Sequence, residues 1–130
     1  MRQRPIVMVV EDDAEMNDLE RELLEVHGLS AVAAYTGREA LEVQGRLHAD
    51  AVLMDIMLPE MDGFEACKRL RVMDSVNGQH LPIIIVSALD SEDCRRRGFE
   101  VGANAYFTKP FDPDEIVAAI QSLLPNQAKT

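Results

Sequence analysis

Five short apolar runs alternating with five helical patterns predict an α/β domain, a single doubly wound sheet of five parallel strands flanked by five helices. Three observations carry that prediction. The runs Ile6–Val10, Ala51–Met54 and Ile83–Val86 are apolar at every position, as strands covered on both faces must be. Amphipathic segments separate the runs and supply the crossovers that parallel strands need. The unusual polar residues also recur at one place, the end of a run: Glu11 and Asp12 after the first, Asp55 after the third, Ser87 after the fourth and Lys109 after the fifth. Open α/β sheets bind their ligands at that edge.

Residues 6–10 read as the first strand, and Asp12 or Asp13 then signals a helix start. Met16, Leu19, Leu23 and Leu24 follow at helical spacing, with Gly28 where a C-terminal cap belongs. A weaker strand covers about 31–35, and Thr36-Gly37-Arg38-Glu39 resembles a capping box opening a helix that runs to about His48. Residues 51–55 are the third strand. Gly63 to about Met73 is helical, with Phe64, Cys67 and Leu70 on one face, and residues 76–80 read as a loop. Pro82 introduces the most hydrophobic strand, which ends in Ser87-Ala88. Ser91 caps a polar helix reaching about Val101, and a turn at Gly102 leads into the short strand 105–108. The last helix runs from about Pro113 to Leu124, with Ile116, Ile120, Leu123 and Leu124 inward.

At 130 residues and 47% hydrophobic composition the chain has material for one core, and we assign residues 1–125 to one domain and 126–130 to a tail or the start of a linker. Thirteen basic against 23 acidic side chains give a net charge of −10, which disfavours direct contact with nucleic acid or an anionic membrane surface. The opening residues lack a signal sequence, and no stretch approaches a transmembrane span, so a cytoplasmic location is expected. Cys67 and Cys94 stand far apart without metal or redox spacing, which predicts reduced packing residues. His27, His48 and His80 fall near element ends and read as surface or capping residues. Arg95-Arg96-Arg97 splay around a helix, so a solvated or partner-contacting face is expected rather than an anion site.

Chemistry is concentrated in the acids. Glu11, Asp12 and Asp55, brought together at strand ends, repel one another unless a cation joins them, which predicts a divalent metal site beside a phosphoryl acceptor. An aspartate carboxylate attacks phosphorus as an anion, so the phosphoryl oxygens it approaches must be neutralised and held in line. Asp13 reads as a helix cap, Asp62-Gly63 as a turn and helix start, and Glu60 as solvated.

The chain resembles the receiver domain of two-component response regulators over essentially its whole length. The matching pieces are Val9-Val10-Glu11-Asp12-Asp13, Met54-Asp55-Ile56-Met57-Leu58-Pro59 with Met61-Asp62-Gly63, Val86-Ser87-Ala88, and Tyr106-Phe107-Thr108-Lys109-Pro110-Phe111. Each piece alone is weak, whereas four in order, each at a strand end, are specific. The resemblance implies a flavodoxin-like, receiver-type fold and a phosphorylation-dependent switch with no enzymatic activity beyond assisting its own phosphorylation and dephosphorylation. It implies Asp55 as phosphoacceptor, and a histidine kinase or histidine phosphotransfer protein as donor. Mg²⁺ or Mn²⁺ would be held by Asp12 and Asp55, by Glu11 through water, and by the backbone carbonyl of Met57.

Lys109 would meet a phosphoryl oxygen, its bond to Pro110 usually being cis in this family. Ser87 would offer its hydroxyl to the phosphoryl group, and Tyr106 would turn inward with it, remodelling the face of the fourth helix, fifth strand and fifth helix. Met57 and Leu89 flank the phosphoryl site in the family pattern. Both are apolar here, which predicts slow self-dephosphorylation. The output domain or target stays unknown from sequence, and a homodimer is compatible with it.

Two other classes compete. An interaction-only pseudo-receiver would have lost the acceptor, the acids or the lysine, all of which are present. An aspartate-nucleophile phosphohydrolase would carry a second aspartate where Met57 stands, and a flavin carrier needs a phosphate-cradling loop where Glu11-Asp12-Asp13 would repel a phosphate.

Overall fold

A computed structural model describes residues 4–124; the opening Met1–Gln3 and the expected tail at 126–130 lie outside the described residues. Strands β1 (Ile6–Val10), β2 (Ser30–Ala34), β3 (Ala51–Asp55), β4 (Ile83–Ser87) and β5 (Ala105–Thr108) alternate with helices α1 (Ala14–Val26), α2 (Gly37–Leu47), α3 (Gly63–Asn77), α4 (Glu92–Glu100) and α5 (Pro113–Leu123). The strands form one sheet in the order β2-β1-β3-β4-β5, every pairing parallel. The fold class read from the sequence is therefore the one observed.

Alternation along each strand divides the core. Met8, Val10, Val52, Met54, Ile83 and Ile85 face one way, onto Ala40 of α2 and Phe64, Ala66, Cys67 and Leu70 of α3. Val7, Val9, Leu53, Ile84 and Val86 face the other way, onto Leu24 of α1 and Ile116, Val117 and Ile120 of α5. Because residues on both faces are excluded from water, β1 can be apolar throughout, and β3 and β4 up to their last residues, Asp55 and Ser87.

Helix ends follow local chemistry. Asp13, Thr36, Asp62, Ser91 and Asp112 each cap a helix with a side-chain oxygen on a first-turn N–H. Thr36 and Glu39 act reciprocally, Thr36 Oγ1 accepting from the Glu39 N–H at 3.0 Å and Glu39 Oε1 from the Tyr35 N–H at 2.9 Å. Gly28 takes φ +88° just beyond the C-cap His27, a conformation that favours glycine.

Two sequence expectations are corrected. Helix α1 does not present Met16 and Leu19 to the core; both are exposed, and Asn17, Glu20 and Leu24 point inward. Polar satisfaction outweighs hydrophobicity at Asn17, whose amide donates to the carbonyls of Val9, Glu11 and Ala34. Helix α3 continues through Val76 and Asn77 to a left-handed Gly78 cap, four residues past the expected end at Met73. Asp74 in that extra turn is buried and accepts the Leu81 N–H at 2.7 Å.

Arg71 completes this anchor. Its guanidinium donates to Asp74 Oδ2, to the carbonyls of Leu81 and Gly102, and to Asn104 Oδ1, joining α3 to the starts of β4 and β5. Arg71→Ala would leave the buried Asp74 carboxylate without its counter-charge and the Leu81 and Gly102 carbonyls without their guanidinium donor. Stability should fall by about 3–5 kcal/mol, read as a lower urea midpoint at unchanged slope; a fall below about 1 kcal/mol, the range of a surface pair, would refute the assignment.

Candidate functional site

The strand order reverses direction between β1 and β3, and the crevice there opens at the carboxyl ends of both strands. Glu11 follows β1, Asp55 ends β3, Ser87 ends β4, and Lys109 follows β5. Sheet register thus brings to one edge residues that are up to 98 positions apart in sequence.

Glu11 and Asp55 are buried, and the Lys109 ammonium lies between them, 2.7 Å from Glu11 Oε1 and 2.9 Å from Asp55 Oδ2. Each acid uses its other oxygen on a backbone N–H two residues ahead, Glu11 Oε2 on Asp13 at 3.1 Å and Asp55 Oδ1 on Met57 at 3.0 Å. Burial raises the Glu11 carboxyl above its ordinary range, and the neighbouring Asp55 charge adds to this against the pull of Lys109. For Lys109 burial alone would favour the neutral amine, but the hydrogen bonds and charges of Glu11 and Asp55 together outweigh it and raise the ammonium.

Asp12 departs from the expected three-acid convergence. Its side chain is exposed, and among the described residues it has no partner and no three acidic, histidine or cysteine groups meet as a metal cluster. A lysine already supplies the cation between Glu11 and Asp55. The donor set nonetheless fits a hard divalent ion, because buried and exposed carboxylates at one open edge are oxygen ligands of the kind Mg²⁺ accepts alongside water. Met57, whose carbonyl was the fourth expected ligand, lies on an exposed turn beside Asp55, its side chain 59% accessible.

Helix α3 seats Asp55. A Cβ at Gly63 would lie 2.2 Å from the Asp55 carbonyl oxygen and 2.6 Å from Ile56 Cα, so only glycine lets the helix start there. The Gly63 N–H donates to the Ile56 carbonyl at 2.8 Å.

Ser87 and Tyr106 meet at one residue. The Ser87 hydroxyl oxygen accepts the Leu89 N–H at 3.1 Å, and the Tyr106 hydroxyl donates to the Leu89 carbonyl at 2.6 Å. Both side chains are buried, and burial raises the Tyr106 phenol. Room for the inward ring comes from Gly98 on α4, where a Cβ would lie 2.9 Å from Tyr106 Cδ2. Arg95 covers the ring's other surroundings, its guanidinium 5.2 Å from the ring centroid and bonded to Thr108 Oγ1 at 2.7 Å.

The three arginines splay as expected: Arg97 stacks on Phe64, Arg96 pairs with Asp93, and Arg95 ties α4 to β5. Lys109-Pro110 is cis. Both cysteines are free, and burial pushes the Cys67 thiol up to about 11. His27 and His48 stand at C-caps, and His80 contacts Asn104, so none reaches the acids. Sequence reading missed Gly98, Glu20 and the Leu89 backbone. A glycine inside a helix costs about 1 kcal/mol relative to alanine, which is the one signal that marked Gly98.

A parallel sheet of this order, with an acid pair, a lysine and a hydroxyl at its carboxyl edge, defines the receiver class. The response regulator receiver domain family matches residues 7–121, and the chain belongs to that family. It is 38% identical over 118 residues to the response regulator MprA of Mycolicibacterium vanbaalenii, covering 91% of this chain and 49% of that protein. It is 35% identical over 122 residues to the probable transcriptional regulator ycf27 of Porphyridium aerugineum, covering 94% and 49%. The chain thus spans about half the length of the curated relatives it matches.

Among solved structures it resembles a CheY-like response regulator receiver domain protein of Methanospirillum hungatei (TM-score 0.87, 26% identity, 98% of both chains). It also resembles the BeF3-activated N-terminal receiver domain of Klebsiella pneumoniae RstA (TM-score 0.83, 33% identity, 92% of this chain and 98% of that one). No helix among the described residues is long and apolar enough to cross a membrane.

Proposed function

We propose that this receiver is a phosphorylation-controlled switch in which Asp55 takes a phosphoryl group from a histidine kinase or histidine phosphotransfer protein. The observation that carries the reading is the Lys109 ammonium held against Asp55 Oδ2 at the open edge of the sheet. The step joins an Asp55 carboxylate oxygen to phosphorus while the donor's nitrogen–phosphorus bond breaks. Lys109, already charged and within reach, transfers its contact from the carboxylate to a phosphoryl oxygen. Asp12, Asp55 and the Met57 carbonyl would hold Mg²⁺ or Mn²⁺, with Glu11 acting through water. Bound there, the ion would neutralise the transferring phosphoryl oxygens.

Ser87 and Tyr106 give the switch its lever. A Ser87 hydroxyl that turns to a phosphoryl oxygen releases the Leu89 N–H, and Leu89 is the residue whose carbonyl holds Tyr106. The new charge therefore alters the β4–α4 loop and the α4–β5–α5 face together. Exposed Met16 and Leu19 on α1, the helix that leaves the acid pair, offer apolar surface to a donor protein. An output domain in a longer protein, as the half-length coverage of relatives suggests, would read the altered face; a homodimer through it is the second arrangement.

Incubating the chain with Mg²⁺ and a small phosphodonor should add one phosphoryl mass in intact-protein spectra. A chain that gains none under conditions that load another receiver would favour the interaction-only reading. Lifetime is a separate expectation. Met57 and Leu89 are 59% and 37% exposed beside the site, and neither side chain can orient an attacking water. Replacing both with polar residues should speed loss of the phosphoryl group about tenfold or more, on the scale of positioned proton transfer. Unchanged hydrolysis would remove this account of the lifetime.

A further inference from the structure

Helix α4 rests on the sheet through a glycine. Gly98 is the one buried residue of that helix, and every other residue from Glu92 to Glu100 except Cys94 is exposed. Beneath it lie Ile85 and Tyr106, partners in the β4–β5 register and members of the same core cluster. A Cβ at Gly98 would stand 2.9 Å from Tyr106 Cδ2, 3.3 Å from Tyr106 Cε2 and 3.2 Å from Ile85 Cδ1. The first of these is well inside van der Waals contact. The Ile85 methyl ends a flexible chain and can yield. The Tyr106 ring is 6% exposed and tied by its hydroxyl to the Leu89 carbonyl at 2.6 Å, so it has no such slack.

The ring takes this place with Ser87 still engaged on the loop. Tyr106 is inward while the Ser87 hydroxyl oxygen accepts the Leu89 N–H at 3.1 Å, so the aromatic half of the proposed lever is seated without a turn of the serine. Its seat is made by α4 and β5. Gly98 leaves the space, and Arg95 closes over the ring, 5.2 Å from its centroid and bonded to Thr108 Oγ1 at 2.7 Å. Alanine is the better helix former, so glycine inside α4 has a cost that the ring contact offsets.

We infer that Gly98 is a positioning residue for Tyr106: by lacking a side chain it pre-sets the ring inward, so that loading of the site does not first have to turn the ring, and it makes α4 follow any movement of the ring. This rests on the reading of Asp55 as acceptor and of Ser87 and Tyr106 as its lever. A conformer that is already dominant adds nothing to the cost of binding, whereas one that must first be populated lowers apparent affinity by its missing fraction.

The test uses the full chain with Tyr35→Phe, which leaves Tyr106 as the sole tyrosine in a chain without tryptophan, so that its fluorescence reports the ring alone. Gly98→Ala, Tyr106→Ala and the double variant are made in that background. Site occupancy is read with beryllofluoride, a phosphoryl mimic, at saturating Mg²⁺, and circular dichroism checks folding. Gly98→Ala should expose Tyr106 to acrylamide quenching and weaken beryllofluoride binding about fivefold or more, the lower end of ordinary coupling between sites. With Tyr106→Ala already in place, Gly98→Ala should leave beryllofluoride affinity unchanged and raise the urea midpoint, since only the helix preference for alanine then remains. A ring that stays shielded with unchanged affinity in Gly98→Ala, or an equal loss of affinity with and without Tyr106, would overturn the inference while leaving Asp55 as acceptor. No beryllofluoride binding by the wild type would overturn the underlying reading instead. If Gly98→Ala alone fails to fold, a folded double variant supports the inference by placing the clash at the ring, and a double variant that unfolds where Tyr106→Ala folds overturns it.

Discussion

Asp55→Asn should gain no phosphoryl group from a small donor with Mg²⁺ at any time at which the wild type is loaded. An amide oxygen is not an anion and forms no acyl phosphate, and no other carboxylate among the described residues shares its place at the end of β3 with a lysine 2.9 Å away. Glu11 is the nearest rival, but burial raises its carboxyl above the ordinary range and so disfavours the anion that must attack phosphorus. The variant should also be more stable. In the wild type the Asp55 charge adds to the burial that raises Glu11, and a carboxyl raised in the folded state loses stability as pH climbs from its unfolded value of 4.5 through its folded one. Replacing Asp55 by a neutral amide lessens that loss, so the gain, about 1 kcal/mol, should appear above pH 5 and vanish below it. Equal adduct formation by the variant would remove Asp55 from the mechanism.

Lys109→Met should slow loading at least about a hundredfold, the usual consequence of deleting one charged donor aimed at developing negative charge. Methionine keeps the stem's volume, so the loss reports the ammonium. Stability should fall as well, by about 3–5 kcal/mol at pH 7, because Glu11 and Asp55 then remain buried with no counter-charge. The direction with pH follows from the groups left behind. The raised Lys109 ammonium contributes fully below the ordinary lysine value of 10.5, so neutral pH is well within its range. On acidification toward 4.5, the ordinary value above which the Glu11 carboxyl is raised, Glu11 takes a proton, the repulsion eases, and the variant should move toward wild-type stability. Urea midpoints at neutral and at acid pH check this. A deficit that persists unchanged at acid pH would place the cause in packing instead of charge.

Most of the fold was legible because its strands are covered on both sides. Continuous runs such as Ile83–Val86 admit few alternatives, and β3 and β5 have the bounds their sequence suggested. The site was legible for a related reason: polar residues at the ends of buried strands have no structural cause to be there, and Glu11, Asp55, Ser87 and Lys109 all stand out against apolar neighbours. What escaped lay on helices. Periodicity assigns Met16 and Leu19 to the core, but α1 turns toward Asn17, whose three backbone contacts cannot be guessed from spacing. Glu20 was hidden by the same rotation. The end of α3 was misplaced because Arg71 and Asp74 act through partners at Leu81, Gly102 and Asn104, a network of long sequence separation. Asp12, read as a strand-end acid with Glu11 and Asp55, stands exposed one residue further along the loop from the buried pair.

Gly63 has a wider meaning than the seating of a helix. With its Cα pressed so near the Asp55 carbonyl that a methyl group would overlap it, Asp55 and α3 must travel as one piece. Across the crevice, Ala88, Leu89 and Asp90 are exposed, and Leu89 links Ser87 and Tyr106 through one hydrogen bond to each. One bank of the cleft is therefore welded and the other hinged, so any strain a new group introduces can relax on the fourth-helix side alone. For the proposed switch, the direction in which a signal would leave is set by where a side chain is missing.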